Sequence, residues 1–240
     1  MAFATINYHS ESLQKASSFN VIFPGSAKIE RPWAVFYLLH GLSDDHTAWL
    51  RYTAIERYAG PLAVVMPAVG RSFYADEAHG HRYWEYVSEE LPRLVARFFR
   101  VSQEPEDTFV AGLSMGGYGA LKLALTHPER YAAAASLSGA LDVVGLAEHG
   151  GRDELFQRVY DGAPGPDDDL FDLLERAEGV PPLHVSCGTE DALLDSNERF
   201  AAAVEARGVD VTTDFRAGEH EWGLWDAVIR DVIAWLPIRS

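Results

Sequence analysis

The sequence predicts a doubly wound, mostly parallel α/β sheet. Apolar runs of strand length recur along the chain, and amphipathic helical patterns lie between them. One glycine-rich turn, Gly112-Leu113-Ser114-Met115-Gly116, joins an apolar run directly to a helical pattern. A chain of 240 residues suits one large α/β domain, here taken as 1–240.

Trp33–Leu39 (WAVFYLL) is continuously apolar, as in a parallel strand covered on both faces. Leu62–Met66, Thr108–Leu113, Ala132–Leu137 and Leu183–Cys187 read the same way, and Val211–Phe215 is a shorter, more alternating strand. Near the N-terminus, Thr5–Tyr8 and Phe19–Phe23 read as edge strands of antiparallel type.

Helices fill the gaps. Thr53-x-x-Glu56 has capping-box spacing, with Gly60 as a stop. Val87, Leu91, Leu94 and Phe98 share a helical face, and Pro92 must sit in that helix's first turn or kink it. Met115–Thr126 is rich in Ala and Leu. Asp195-x-x-Glu198 gives a second capping box, followed by Phe200, Val204 and a stop at Gly208, and Glu221–Trp235 closes the chain as an amphipathic helix.

The stretch from about 141 to 182 breaks this rhythm. It carries Gly150-Gly151, Pro164, Pro166 and Asp167-Asp168-Asp169, with short helical patterns at Asp153–Tyr160 and Leu170–Ala177. It reads as a cap-like insertion over the carboxyl ends of the strands, where open α/β sheets bind ligands. The three aspartates read as a solvated helix start.

Charge and cysteine usage exclude several functions. A formal charge of −16 repels nucleic acid, acidic membrane surfaces and highly anionic substrates. One cysteine, Cys187, leaves no intrachain disulfide framework. Met1–Leu13 holds Asn7, His9, Ser10 and Glu11 and does not read as a secretory signal, and no apolar stretch is long enough to cross a bilayer. The expectation is a soluble cytoplasmic protein.

The chemistry centres on Ser114. Gly-x-Ser-x-Gly between a strand and a helix is the pattern of a nucleophile elbow, with Ser114 as catalytic nucleophile. The turn strains the serine backbone, and small neighbours let strand and helix approach closely. The Met115 N–H, at the helix start, suits one half of an oxyanion hole. A phosphate-binding loop does not fit, because no Gly-Lys-Ser/Thr follows.

On an α/β-hydrolase scaffold the triad runs serine, acid, histidine in chain order. Four histidines follow Ser114. His127 fits a helix C-terminus, His149 lies in the insertion and His184 lies within a strand. His220, in the loop between the last strand and the last helix, is the expected general base. Glu190, Asp191 and Asp195 follow the strand that ends at Cys187-Gly188. Asp195 is taken by its capping box. Asp191 is preferred over Glu190 because the acid must be buried against the imidazole. The second oxyanion donor is expected from His40-Gly41-Leu42-Ser43, as the Leu42 N–H, with His40 bracing the loop. Tyr74, Tyr83 and Trp222 are candidate pocket walls. His79-x-His81 and Asp44-Asp45-His46 lack a third ligand at a telling distance, so no metal is expected.

These residues resemble the esterase family that includes esterase D (S-formylglutathione hydrolase), feruloyl esterases and bacterial tributyrin esterases. The resemblance covers nearly the whole chain. It is anchored on Tyr37–Leu42, Ala48-Trp49, Thr53–Arg57, Val65–Pro67, Gly112–Ala120, Ser138-Gly139, Cys187–Asp191 and Gly218–Trp222. The Gly-Leu-Ser-Met-Gly-Gly-Tyr-Gly-Ala run is nearest to the tributyrin esterase branch, and the family's acid maps onto Asp191. The S-formylglutathione hydrolase branch shows a threonine and a cysteine after His-Gly-Leu and a histidine before the serine. This chain has Ser43-Asp44 and Leu113 there. The resemblance therefore implies a serine carboxylesterase acting on short-chain acyl esters, with no cofactor, as a homo-oligomer (dimer or tetramer). An S-formylglutathione-type thioesterase and a deacetylase or feruloyl esterase acting on sugar esters are the alternatives.

Overall fold

Alternation within the apolar runs decides the layering. The computed structural model describes residues 1–25 and 32–239. In β3 (Val35–Leu39), Val35, Tyr37 and Leu39 enter one hydrophobic cluster, and Phe36 and Leu38 enter the cluster on the opposite face. In β5 (Thr108–Leu113), Phe109, Ala111 and Leu113 face the second cluster while Val110 faces the first. A strand buried on both faces reads as one apolar run, as here.

The described residues form one eight-stranded sheet. The other strands are β1 (Ala2–Ser10), β2 (Lys15–Phe23), β4 (Ala63–Pro67), β6 (Ala133–Leu137), β7 (Leu183–Gly188) and β8 (Val211–Arg216). The spatial order is β1-β2-β4-β3-β5-β6-β7-β8. β1 pairs antiparallel with β2, and β2 antiparallel with β4; β4 to β8 run parallel. The chain thus winds outward in both directions from β3 and β5. The crevice at the carboxyl ends of these two strands is a topological switch point.

The helices are α1 (Ala48–Tyr52), α2 (Ile55–Tyr58), α3 (Tyr83–Glu85), α4 (Leu91–Phe98), α5 (Met115–Thr126), α6 (Val143–Glu148), α7 (Asp153–Tyr160), α8 (Leu170–Arg176), α9 (Leu194–Ala206) and α10 (Trp222–Trp235). A π-helical turn, Tyr86–Glu90, lies immediately ahead of Pro92. Pro92 has no N–H to offer the Ser88 carbonyl four residues back. Arg130 Nη1 donates to that carbonyl instead, at 2.9 Å.

Neither capping box forms. The Thr53 hydroxyl donates to the Trp49 carbonyl and accepts the Ile55 N–H, stitching α1 to α2. Asp195 lies in the first turn of α9 and pairs with Arg199 at 2.9 Å. The turn ahead of α9 is closed by Asp191, whose carboxylate accepts the Leu193 N–H and whose carbonyl accepts the Leu194 N–H.

The three aspartates of the insertion do more than start a helix. Asp169 caps α8 by accepting the Phe171 N–H. Asp168 binds Lys122 of α5 at 2.6 Å, and its carbonyl accepts the Tyr118 hydroxyl. The Lys122 side chain is 6% exposed, and its ammonium lies 4.5 Å over the Trp84 ring. Removing Asp168 would leave a buried, uncompensated charge. The insertion is therefore fastened to the helix that follows Ser114.

Packing is tight between β5 and α5. A Cβ on Gly112 would lie 2.3 Å from the Gly116 carbonyl oxygen, and one on Gly116 would lie 2.5 Å from the Leu39 carbonyl oxygen. Both obstacles are backbone, so neither can yield cheaply. Gly116→Ala is expected to lose about 1–3 kcal/mol in urea unfolding, the usual cost of overpacking. Gly223→Ala meets nothing within 4 Å. That exposed helical site is expected to gain up to about 1 kcal/mol from helix propensity.

Candidate active site

Ser114 sits between β5 and α5 with φ 53° and ψ −117°, outside the regions L-residues normally occupy. Such strain persists only where the surroundings over-determine it. Here the Ser114 N–H donates to the Leu137 carbonyl of β6 at 2.9 Å, and the Ser114 carbonyl accepts the N–H groups of Tyr118 and Ala140. Met115 is the first residue of α5, so its N–H belongs to the free donors at a helix start.

The loop after β3 passes over this elbow. A Cβ on Gly41 would lie 2.7 Å from Leu113 Cδ1 and 3.6 Å from Ser114 Cβ. The loop is held by His40, which is buried. Its Nε2 accepts the Val69 N–H at 3.0 Å, which requires the proton on Nδ1, and Nδ1 lies 2.7 Å from the Gly41 carbonyl. The His40 carbonyl accepts the Tyr74 hydroxyl. Burial pushes the His40 imidazole down to about 4, against a partial lift from its bond to Gly41. His40 is thus a neutral brace, as the sequence predicts. It delivers Leu42 to the rim of the cavity that also contains Ser114 and Met115.

On the other side of that cavity, His220 Nδ1 lies 2.7 Å from Asp191 Oδ2. The Asp191 side chain is 1% exposed. Burial would raise its carboxyl, but the His220 bond and the Leu193 N–H outweigh this and hold it below the usual carboxylate range. An ionised Asp191 makes Nδ1 the protonated nitrogen, leaving Nε2 free as a base. The Trp225 indole packs edge-on against His220 at 4.8 Å. Its Nε1–H donates to Ser138 Oγ, and the Ser138 side chain bonds Asp191 in turn. Ser138, with φ 45°, was not singled out from the sequence beyond being part of a motif. Glu190 accepts the Gly218 N–H and so ties down the loop that carries His220.

Residues 10–236 match the family described as "Putative esterase". The chain belongs to this esterase family. The acetyl esterase of Caldicellulosiruptor saccharolyticus is 28% identical, with 98% of each chain covered. Among solved structures, substrate-bound FphF, a fluorophosphonate-binding serine hydrolase of Staphylococcus aureus, superposes with a TM-score of 0.92. It is 33% identical, with 99% of each chain covered. The S-formylglutathione hydrolase FrmB of Staphylococcus aureus superposes with a TM-score of 0.89 at 34% identity, with 98% of each chain covered. The protein is a serine carboxylic ester hydrolase on an α/β-hydrolase fold.

The cavity of this esterase has a volume of about 200 Å³. Its apolar wall comes from Leu42, Phe73, Met115, Leu146 and Leu193. Phe73 is held at φ 48°, and its N–H points at Met115 Sδ, 3.3 Å away. The aromatic residues proposed from sequence lie elsewhere. Tyr74 is buried behind α5, Tyr83 accepts a hydrogen bond from Lys15, and Trp222 packs among Trp49, Tyr52 and Trp225. Phe73 adjoins one of them and carried no pattern to distinguish it. Leu146 and Arg152 reach the cavity from the insertion. His127 stacks on Trp84, His184 is buried in β7, and His149 bonds back to Gly145. His79 pairs with Asp161. Among the described residues, no group of three or more His, Cys, Asp or Glu could hold a metal ion, and no helix is long and apolar enough to cross a membrane.

Asp191 and Asp195 separate cleanly by experiment. Asp191→Asn is expected to lower kcat by about 10³–10⁴-fold by stabilising the wrong imidazole tautomer. Asp195→Ala should change it by no more than about twofold, as steady-state ester hydrolysis will show. His40 supplies a stability test. Its folded value lies below the ordinary 6.5, so its contribution is present above pH 6.5 and is lost as the pH falls toward 4. Between pH 7 and 4.5 the wild type should lose about 2 kcal/mol more in urea titrations than His40→Gln, which cannot titrate.

Proposed function

We propose that the protein is a carboxylesterase for short-chain acyl esters that works through an acyl-enzyme on Ser114. The observation that carries this reading is one small, mostly apolar cavity shared by Ser114, on a strained strand-to-helix turn, and His220, hydrogen-bonded to buried Asp191. Its volume corresponds to roughly seven water molecules, which suits a small acyl group.

His220 Nε2 takes the Ser114 proton as Oγ attacks the ester carbonyl. The N–H groups of Leu42 and Met115 hold the oxyanion, and Asp191 stabilises the imidazolium. Collapse breaks the ester C–O bond, and His220 returns the proton to the leaving alcohol. Water, deprotonated by His220, then attacks the acyl-enzyme and releases the acid and free Ser114. Each group in both steps is a side chain or N–H of this chain, so the reading uses no cofactor. It is nearest to the tributyrin esterase branch, and it sets the enzyme in the cytoplasm, where Cys187 stays reduced.

A thioesterase of the S-formylglutathione type is the second reading, favoured by the 34% identity to FrmB. Against it stand Ser43-Asp44 and Leu113 in place of that branch's residues. Ser114→Ala is expected to lower p-nitrophenyl acetate turnover by at least about 10⁴-fold, and near wild-type turnover would refute the mechanism. On a panel from acetate to octanoate, kcat/KM should peak at acetate to butyrate. S-formylglutathione turnover more than about tenfold above p-nitrophenyl butyrate would favour the second reading.

A further inference from the structure

Apart from Asp191 and His220, one charged side chain lines the cavity that holds Ser114: Arg152, from the insertion. Acidic residues outnumber lysine and arginine by 36 to 20. Several arginines find a carboxylate, as Arg130, Arg158, Arg176, Arg199 and Arg216 do. Arg152 makes no hydrogen bond or ion pair through its side chain with any described residue. It also occupies the N-cap of α7, where its side chain caps nothing. A cation at a helix N-terminus meets the positive end of the helix dipole and is disfavoured there. Arg152 is exposed and lines the cavity, with no bond to a described residue holding its guanidinium.

We propose that Arg152 is a specificity-determining residue that binds a single carboxylate on the substrate, so that the preferred ester is a monoanion. This rests on the esterase reading above and names its substrate class. The cavity wall around Ser114 is apolar, and the one carboxylate lining it, Asp191, is turned to His220. Asp44 stands nearby, its Oδ2 3.1 Å from where a Cβ on Gly41 would lie, and its charge interacts with His220. Arg152 is the cavity's one arginine or lysine, so a substrate carboxylate would have to engage it against Asp44. The chain's overall charge of −16 repels polyanions, so one local cation admits a monoanion and not a polyphosphate. Arginine suits the task because its planar fork binds carboxylate in two-pronged fashion. The carboxylate can lie on the acyl or the alcohol side of the scissile bond.

Two matched pairs of esters test both arrangements, with acid release followed by pH-stat. Monoethyl succinate against ethyl butyrate places the carboxylate on the acyl side. 3-Acetoxypropanoate against propyl acetate places it on the alcohol side. In at least one pair, the ratio of kcat/KM for anionic over neutral ester should fall about tenfold in Arg152→Gln, the worth of a charge-assisted hydrogen bond. Arg152→Lys should restore much of it. The wild-type ratio should also drop with added salt, while that of Arg152→Gln stays flat, which a merely structural role would not produce. Ratios within about twofold of wild type in both pairs, with neutral esters still hydrolysed in a Ser114-dependent way, would overturn this proposal and leave the esterase reading standing. Loss of Ser114 dependence itself would remove both.

Discussion

The close contact between β5 and α5 is the constraint on which the site depends. With no side chain at Gly112 or Gly116, the helix backbone approaches the strand and the carbonyls of Leu39 and His40. Ser114 is then the residue that must turn between them, and its φ of 53° follows. Hydrogen bonds donated to β6 and accepted from Ala140 and Tyr118 lock that turn. The same contact brings the end of β3 beside the start of α5, which is why Leu42 and Met115 share one cavity with Ser114. The position of that cavity is fixed more broadly by strand order, since β3 and β5 flank the switch point.

Buried polar groups carry the remaining precision. His40 is neutral because burial disfavours its charge, and as a neutral ring it can accept from Val69 while bonding Gly41. Asp191 is ionised despite burial because His220 and the Leu193 N–H reward the charge. Both groups are shifted down, yet one ends neutral and the other charged: burial decides for His40, and partners overcome burial at Asp191. Lys122 and Asp168 apply this logic at larger scale, fastening the insertion to α5 and so setting where Leu146 and Arg152 meet the cavity.

The parallel strands were legible because burial on both faces leaves a continuous apolar run, and β5 appears at the bounds read from sequence. The positions of Ser114 and His220 were legible because each lies just past a strand and before a helix. Asp191 is buried against His220, the property on which it was preferred over Glu190, but the exclusion of Asp195 as a cap does not hold. Asp195 is no cap, and Asp191 itself closes the turn before α9. Capping boxes are short patterns: Thr53 spends its hydroxyl on Trp49 and Ile55, and ahead of α9 the Asp191 carboxylate takes the Leu193 N–H. The pocket wall was not legible. Phe73 and Ser138 matter through backbone strain and contacts with residues far along the chain, which leave no periodic trace. The Asp167–Asp169 run looked solvated because Lys122, its buried partner, is 46 residues away.

The central claim is that the strained turn makes Ser114 a nucleophile activated by His220. Covalent labelling with a fluorophosphonate, followed by peptide mass spectrometry, tests it most directly. The account predicts modification at Ser114 alone, at a rate that collapses in His220→Ala. Labelling at any other residue, or at Ser114 with an undiminished rate in that variant, would contradict it.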